Sequence, residues 1–143
     1  MFASPLSGKG AALRGGRWNS QGVELLYTAE NRSLAMAEVA VHFTFATCPS
    51  DYVLITIEIP DKCAIGTIDE SLLPNNWRSF PHPPSTQKFG DDFVKQSKLV
   101  AIKIPSVITQ GDYNILINPQ HPDFKKINIL KIEPFPFDKR MLK

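Results

Sequence analysis

The chain has 143 residues, a length that suits one domain with a sizeable buried core but not two. Hydrophobic residues make up 43% of the chain and charged residues 21%, which is typical of a soluble globular fold. Its 16 Lys and Arg stand against 14 Asp and Glu, a balance too even to indicate direct binding of nucleic acid.

The first half of the chain predicts two strands around one helix. The opening "SPLSGKGAALRGG" is rich in glycine and indicates a loop. "VELLYT" predicts a strand, and "NRSLAMAEVAVHFTF" predicts a helix whose first turn Asn31 or Ser33 is able to cap. "DYVLITIEIP" predicts a strand from its alternating apolar residues, and Pro60 ends it.

The second half predicts one helix and three strands. The proline-bounded stretch "LLPNNWRSFPHPP" indicates irregular structure, and Ser85 is expected to cap a helix that carries Phe89, Phe93 and Ser97 along one side. The segments "KLVAIKIP", "YNILINP" and "KKINILKIE" each predict a strand. Because strands outnumber helices and do not alternate regularly with them, the predicted fold class is α+β.

Some functions have little support in the sequence. The N-terminus lacks the pattern of a secretory signal, and the longest apolar run, residues 34–41, is too short to span a membrane, so we expect a soluble cytoplasmic protein. No metal site is predicted, because the histidines and cysteines are scattered: His42, His82, His121, Cys48 and Cys63. We expect Trp18 and Trp77 to lie in the core.

Glu38 is the most informative single residue. Its neighbours in residues 34–41 are all apolar, so we expect the carboxylate to be buried. An unpaired carboxylate in such surroundings costs several kcal/mol or changes its pKa. Two interpretations stay open: a narrow solvent-facing stripe on the helix, or a carboxylate at the base of a functional cleft.

Arg17 and Tyr27 are ordinary residues when each is taken alone, a loop arginine and a tyrosine packed at a strand end. Together with Glu38, they supply the groups needed to bind a nucleotide and act on it. A guanidinium beside glycines binds a phosphate bidentately, and a tyrosine ring offers a face on which a heterocycle stacks. A carboxylate stabilises positive charge at an anomeric carbon. The three suit a nucleotide whose glycosidic bond is broken through an oxocarbenium-like state.

Two long segments of the sequence resemble a known protein family. The segments "GGRWNSQGVELLYTAENRSLAMAEVAVHF" and "KIPSVITQGDYNILINPQHPDF" are similar to the RES-domain family, the toxins of bacterial RES–Xre toxin–antitoxin pairs. The resemblance implies a single RES domain over residues 1–143 and a compact ADP-ribosyltransferase-like core, a split β-sheet with a few helices. It also implies NAD as the substrate, with no metal.

The resemblance assigns roles to individual residues. Arg17 falls on the family's NAD-binding arginine, Tyr27 on the tyrosine beside the nicotinamide and Glu38 on the catalytic glutamate, and all three are predicted to take part in catalysis. The remaining candidates for NAD binding are a serine that matches the last letter of the family name and two asparagines that the match does not separate: Ser106, Asn114 and Asn118.

The resemblance leaves the reaction open. NAD cleavage at the nicotinamide–ribose bond, by hydrolysis or phosphorolysis, is the first expectation. Protein ADP-ribosylation and nucleotide binding without turnover are alternatives, and a buried ion pair between Glu38 and Arg17 in a pure interaction domain is a third. We expect a cognate Xre-type helix-turn-helix antitoxin to reach the Arg17–Glu38 cleft, in a hetero-oligomer with this protein.

One departure from the family pattern bears on the fold. RES proteins usually begin with a short strand that carries a further arginine, whereas here Met1 opens almost at the glycine-rich loop. The sequence therefore predicts a domain that lacks this strand. A sheet edge left without its partner strand has unpaired backbone groups.

Overall fold

A computed structural model describes residues 6–44, 46–47, 52–135 and 138–142 of the protein. The helices and strands, in chain order, are α1 (Lys9–Arg14), β1 (Leu26–Ala29), α2 (Arg32–His42), β2 (Val53–Glu58), β3 (Ile65–Thr67), α3 (Pro84–Gln96), β4 (Ala101–Pro105), β5 (Tyr113–Ile117) and β6 (Asn128–Pro134). Short 3-10 turns lie at Glu70–Leu72, Pro122–Lys126 and Lys139–Met141. The predicted α+β class is confirmed.

The strands form two separate sheets, so the expected split of the sheet is confirmed. One sheet has four strands in the order β1-β5-β4-β3, and the other pairs β2 with β6. β3 runs parallel to β4, while the remaining pairs are antiparallel. The sequence did not predict β3, because three residues are too few to show an alternating pattern.

The register of the four-stranded sheet decides which side chains share a face. Tyr27 pairs with Leu116, and Ala29 pairs with Asn114. Directly paired residues project to the same side, and so do residues two apart on one strand. Tyr27 and Asn114 therefore lie on one face as diagonal neighbours, which places their backbones about 7–8 Å apart.

Two hydrophobic cores cover the two faces of this sheet. The core on the Tyr27 face contains both tryptophans, each 4% exposed, so their predicted burial is confirmed. Its other buried members are Leu25, Leu73, Ile102, Ile104 and Leu116. The opposite core consists of Cys63, Val100, Ala101, Ile117 and Ile127. Cys48 lies outside the described residues.

The helix ends differ in part from the predictions. Of the two candidate caps of α2, Asn31 is the cap, since its side chain accepts a hydrogen bond from the Leu34 N–H at 2.8 Å. The predicted cap of α3 at Ser85 is wrong. That helix starts with Pro84, which has no N–H to satisfy, and Ser85 lies inside its first turn.

The opening segment, which was predicted to be a loop, contains a helix in its described part, because Lys9–Arg14 form α1. The segment contains Ala11, Ala12 and Leu13, which are strong helix formers. Gly15 ends the helix at a φ of 73°, a left-handed conformation that glycine adopts without strain. The glycines around the helix thus mark its ends and not a loop.

Two further findings concern what the described residues lack. No helix among them is long and apolar enough to cross a membrane. The described ranges also contain no group of three or more His, Cys, Asp and Glu side chains suited to hold a metal ion.

Candidate active site

The loop that carries Arg17 is held from several sides. Its backbone closes on itself, since the Gly16 N–H donates to the Asn19 carbonyl at 2.9 Å. The fully buried Asn19 amide donates to the carbonyls of Ala11 and Val23, both at 2.9 Å. These contacts fix the loop between α1 and the start of the sheet, so the Arg17 side chain leaves from a defined point.

The Arg17 guanidinium reaches across to the irregular segment before α3. Its Nη1 donates to the Trp77 carbonyl at 2.6 Å and to the Ser79 carbonyl at 2.9 Å. Its Nε and Nη2 have no hydrogen-bond partner among the described residues. Burial lowers the pKa of Arg17, and the charge interaction with nearby Tyr27 opposes that effect. The guanidinium is therefore charged and held in place by Nη1, and its Nε and Nη2 edge is free to bind an anion.

Tyr27 is anchored by its hydroxyl. The hydroxyl accepts a hydrogen bond from the Trp18 N–H at 2.9 Å and donates to Asn19 Oδ1 at 2.6 Å. A Cβ atom at position 16 would lie 2.7 Å from this hydroxyl, so the close approach requires Gly16. Burial raises the pKa of Tyr27 to about 12, which keeps the phenol protonated at neutral pH. With the side chain 37% exposed, the ring is open in part to solvent.

Glu38 bonds to the sheet and not to Arg17. The Asn114 amide nitrogen donates to Glu38 Oε1 and, at 3.1 Å, to the Thr28 carbonyl of β1. Glu38 is half-buried, and burial raises its pKa, while the Asn114 hydrogen bond and the charge of His42 lower it. The described residues contain no ion pair between Glu38 and Arg17, so the alternative of a buried structural pair is wrong.

The predicted site residues therefore fall into two groups. Tyr27, Asn114 and the bound Glu38 share one face of the sheet, and the Arg17 loop touches the hydroxyl of Tyr27. Beside them, a cavity of about 630 Å³ lies between the edges of β1 and β2. Tyr27 lines this cavity, but Arg17 and Glu38 do not.

Ser106 and Asn118 form the second group, because their polar atoms bind to the protein itself. Ser106 is buried after the end of β4, and its Oγ accepts hydrogen bonds from two backbone N–H groups of the following turn, both at 3.0 Å. Asn118 is fully buried, and its amide donates to the Val94 carbonyl at 3.3 Å. A contact of either residue with NAD stays a prediction.

Three residues that support the site were missed by sequence reasoning. Asn19 holds both the loop and Tyr27, while Gln87 donates to the Gly16 carbonyl at 3.2 Å. Asp91 accepts from the Ser20 N–H at 2.8 Å and from the Ser20 hydroxyl at 2.5 Å. Gln87 and Asp91 lie four residues apart on α3, so a polar stripe beside the predicted Phe89–Phe93 stripe was the available signal.

Comparisons with known proteins agree with this architecture. A Sphingobium protein (strain YBL2) named "Prs ADP-ribosylating toxin" is 36% identical over 143 residues, which cover 99% of this chain and 89% of that protein. A Yersinia enterocolitica protein named "Toxin Res" is 35% identical over 142 residues, with 98% and 92% covered.

The fold is also found in a solved structure. A chain in the crystal structure of the M. tuberculosis MbcT–MbcA toxin–antitoxin complex superposes with a TM-score of 0.71 at 20% identity. The match covers 91% of this chain and 76% of that one, and it shows an ADP-ribosyltransferase-like fold. The family profile described as "RES domain" matches residues 2–138. Since that match spans nearly the whole sequence, the chain belongs to the RES domain family.

Proposed function

We propose that this protein is a toxin that cleaves the bond between nicotinamide and ribose in NAD. The observation that carries the proposal is the half-buried Glu38, which Asn114 holds on the same face of the sheet as the Tyr27 ring. A carboxylate beside an exposed aromatic face suits a nucleoside whose base leaves as the sugar becomes positively charged. The Sphingobium relative, named an ADP-ribosylating toxin, supports the same substrate.

Arg17 would bind the diphosphate of NAD. Both N–H groups on Nη1 are taken up by the carbonyls of Trp77 and Ser79, which leaves the Nε and Nη2 edge for two parallel hydrogen bonds to phosphate oxygens. Since the guanidinium is already ordered, little side-chain entropy is lost when the anion binds.

Tyr27 would hold the nicotinamide by its ring. Its hydroxyl is occupied on both sides by Trp18 and Asn19, so the open part of the side chain is the aromatic face. A flat heterocycle stacked on such a face is held in one orientation. That orientation determines where the glycosidic bond lies relative to Glu38.

Glu38 would stabilise the transition state. When the bond from ribose C1′ to nicotinamide N1 breaks, its electron pair leaves with the nicotinamide and C1′ becomes positively charged. Asn114 binds Oε1 of Glu38, so Oε2 is left to hold a ribose hydroxyl, and the carboxylate charge faces the developing cation. An oxygen of the acceptor then bonds to C1′ and releases a proton.

The candidate reactions differ in the group that accepts ADP-ribose. Water gives ADP-ribose, phosphate gives ADP-ribose 1″-phosphate, and a protein side chain gives an ADP-ribosylated protein. The printed name of the Sphingobium relative favours the last reaction as a second candidate. Contacts of Ser106 and Asn118 with NAD stay predictions, since in the structure the polar atoms of both side chains hold turns at the ends of β4 and β5.

We propose an antitoxin as the partner in the cytoplasm. A protein that consumes NAD needs a partner that keeps it inactive, and the solved neighbour comes from a toxin–antitoxin complex. An Xre-type antitoxin with an acidic segment is suited to bind the free edge of Arg17 in place of phosphate. Growth arrest on expression alone, relieved by co-expression of the neighbouring open reading frame, is the expected result. Harmless expression without loss of cellular NAD would contradict the toxin assignment.

The reaction is tested by incubating the full chain with NAD, with and without phosphate, and identifying the products by mass spectrometry. Release of nicotinamide together with ADP-ribose or its 1″-phosphate is the expected outcome. A mass increase of a protein added as acceptor would identify the transferase. NAD that binds without any release of nicotinamide would instead identify a binding module.

A further inference from the structure

Phe80 is more exposed than any other large hydrophobic side chain in the described ranges. It is 91% exposed, whereas the next most exposed such residue, Leu13, reaches 74%. Single exposed apolar residues are common on protein surfaces and by themselves indicate nothing. The position of Phe80, directly after a carbonyl that binds Arg17, is what sets it apart.

The segment that carries Phe80 is fixed in place. Besides its two bonds to Arg17, the segment has a backbone turn in which the Ser79 N–H donates to the Asn76 carbonyl at 3.0 Å. The Arg78 guanidinium lies 4.6 Å from the centre of the Trp77 ring and forms an ion pair with Glu70 at 3.0 Å. The ring of Phe80 therefore projects into solvent from an ordered backbone.

Covalent geometry places Phe80 close to the Arg17 guanidinium. The Ser79 carbonyl oxygen lies 2.9 Å from Arg17 Nη1, and the Cα of Phe80 follows within the same peptide unit. With standard peptide dimensions, this Cα is within about 6 Å of Nη1. The backbone of Phe80 is thus a near neighbour of the guanidinium whose Nε and Nη2 edge is free for phosphate.

Hydrogen bonds link Arg17 to the surroundings of two aromatic residues. The backbone N–H of the next residue, Trp18, donates to the Tyr27 hydroxyl. The Arg17 side chain binds the segment that leads to Phe80. Followed through these contacts, Tyr27, Arg17 and Phe80 come in the order of the groups in NAD, in which a diphosphate joins the nicotinamide riboside to adenosine.

We propose that Phe80 is the stacking surface for the adenine of NAD, an inference that rests on the proposed function. Nicotinamide lies on Tyr27, the diphosphate binds the free edge of Arg17, and the adenine, one ribose beyond the diphosphate, covers the Phe80 ring. Stacking on an aromatic side chain accepts any base and gives affinity without hydrogen bonds.

The test measures binding by calorimetry to the full chain, in a Glu38→Gln background so that the substrate is not consumed. The ligands are NAD and nicotinamide mononucleotide, which lacks the adenosine. Phe80→Ala should raise the Kd of NAD about tenfold, the usual scale for one stacked base, and leave the Kd of nicotinamide mononucleotide unchanged. Phe80→Trp should keep the affinity for NAD.

Leu130→Ala is the matched control, because Leu130 is 60% exposed on β6 and should affect neither ligand. An unchanged Kd of NAD in Phe80→Ala, or equal weakening of both ligands, would overturn the adenine assignment. Normal NAD binding by Phe80→Ala, combined with loss of acceptor-protein modification when Phe80→Ala is made in a chain that keeps Glu38, would also overturn it and assign the ring to the acceptor. If the parent protein binds neither ligand, the proposed function itself fails.

Discussion

Asn114 is the residue that joins helix α2 to the sheet at the candidate site. Its amide nitrogen has two hydrogens, and the structure uses one for the Thr28 carbonyl and one for Glu38. The carboxylate is thereby oriented, yet it is still half-buried, and burial is the main reason that its pKa is raised. Retaining a charge at this position costs stability, as is common for groups that serve catalysis.

The raised pKa of Glu38 predicts how stability depends on pH. Below the ordinary Glu pKa of about 4.3, the folded and unfolded chains both carry the proton. As the pH rises to the raised folded pKa, the unfolded chain releases its proton first, so the free energy of unfolding falls. Glu38→Gln keeps an acceptor for Asn114 and removes this loss.

Denaturant unfolding of both proteins across this pH range measures the effect. The variant should match the parent at low pH and become the more stable protein as the pH rises. Glu70→Gln, at an exposed glutamate in an ion pair, is the control and should not show that gain. A Glu38→Gln variant that loses stability with rising pH as the parent does would contradict the assignment.

Tyr27→Phe tests the hydroxyl separately from the ring. The substitution leaves the Trp18 N–H and Asn19 Oδ1 without their partner, so the free energy of unfolding should fall by about 1–3 kcal/mol. The ring remains, and NAD binding should persist at temperatures where the variant is folded. Tyr113→Phe is the control, since no hydrogen bond to its hydroxyl occurs among the described residues. Equal stability of the two variants would show that the Tyr27 hydroxyl contributes nothing.

The backbone of helix α3 packs directly against the backbone of the loop that carries Arg17. A Cβ atom at Gly90 would lie 1.6 Å from the Trp18 carbonyl oxygen, so only glycine allows the helix to approach this closely. Gln87, one turn before Gly90, and Asp91, the residue after it, bind the same loop through Gly16 and Ser20. The element that holds Arg17 in place is therefore the polar and glycine side of α3.

Gly90→Ala should lower the free energy of unfolding by several kcal/mol, because a backbone carbonyl has to move to admit the methyl group. Gly10→Ala is the matched control. Gly10 also lies in a helix, has nothing within 4 Å of its added Cβ, and should gain about 0.5–1 kcal/mol from the better helix propensity of alanine. Thermal unfolding measures both, and a Gly90→Ala variant as stable as the parent would contradict the packing.

The elements that sequence predicted are those with a strong local pattern. The alternation of β2 and the apolar runs of β4 and β5 are local signals, and all three strands are found. α1 was missed because glycines flank it, as they do many loops. The start of α3 was misplaced because Pro83 and Pro84, and not a serine, form the start of that helix. Glycine and proline in a sequence indicate that one element ends, but they do not predict which kind of element comes next.

The site was predicted in its residue types but not in its contacts. Arg17, Tyr27 and Glu38 were named from the family resemblance together with their chemistry. The hydrogen bond from Asn114 to Glu38 joins residues 76 positions apart, and the bonds from Arg17 reach 60 and 62 positions along the chain. Such contacts depend on sheet order and register, which local sequence does not specify.

At the scale of the whole molecule, three parts of the chain supply the candidate site. The loop after α1 supplies Arg17, β1 supplies Tyr27 and α2 supplies Glu38. Under the proposed function, the first two bind NAD and the carboxylate of Glu38 stabilises the transition state of its cleavage.

The rate of nicotinamide release from NAD by the parent protein, Glu38→Gln and Glu58→Gln at several pH values tests this role of Glu38. Glu58, which is exposed at the end of β2, is the control. The parent and Glu58→Gln should release nicotinamide, with a rate that rises as Glu38 ionises above the ordinary Glu pKa. Above the pKa of Glu38, Glu38→Gln should still bind NAD but release nicotinamide on the order of a hundredfold more slowly. The difference should shrink at low pH, where the parent's carboxylate is protonated and also lacks the charge. Release by Glu38→Gln at the parent rate, with the same pH dependence, would contradict a catalytic role of Glu38.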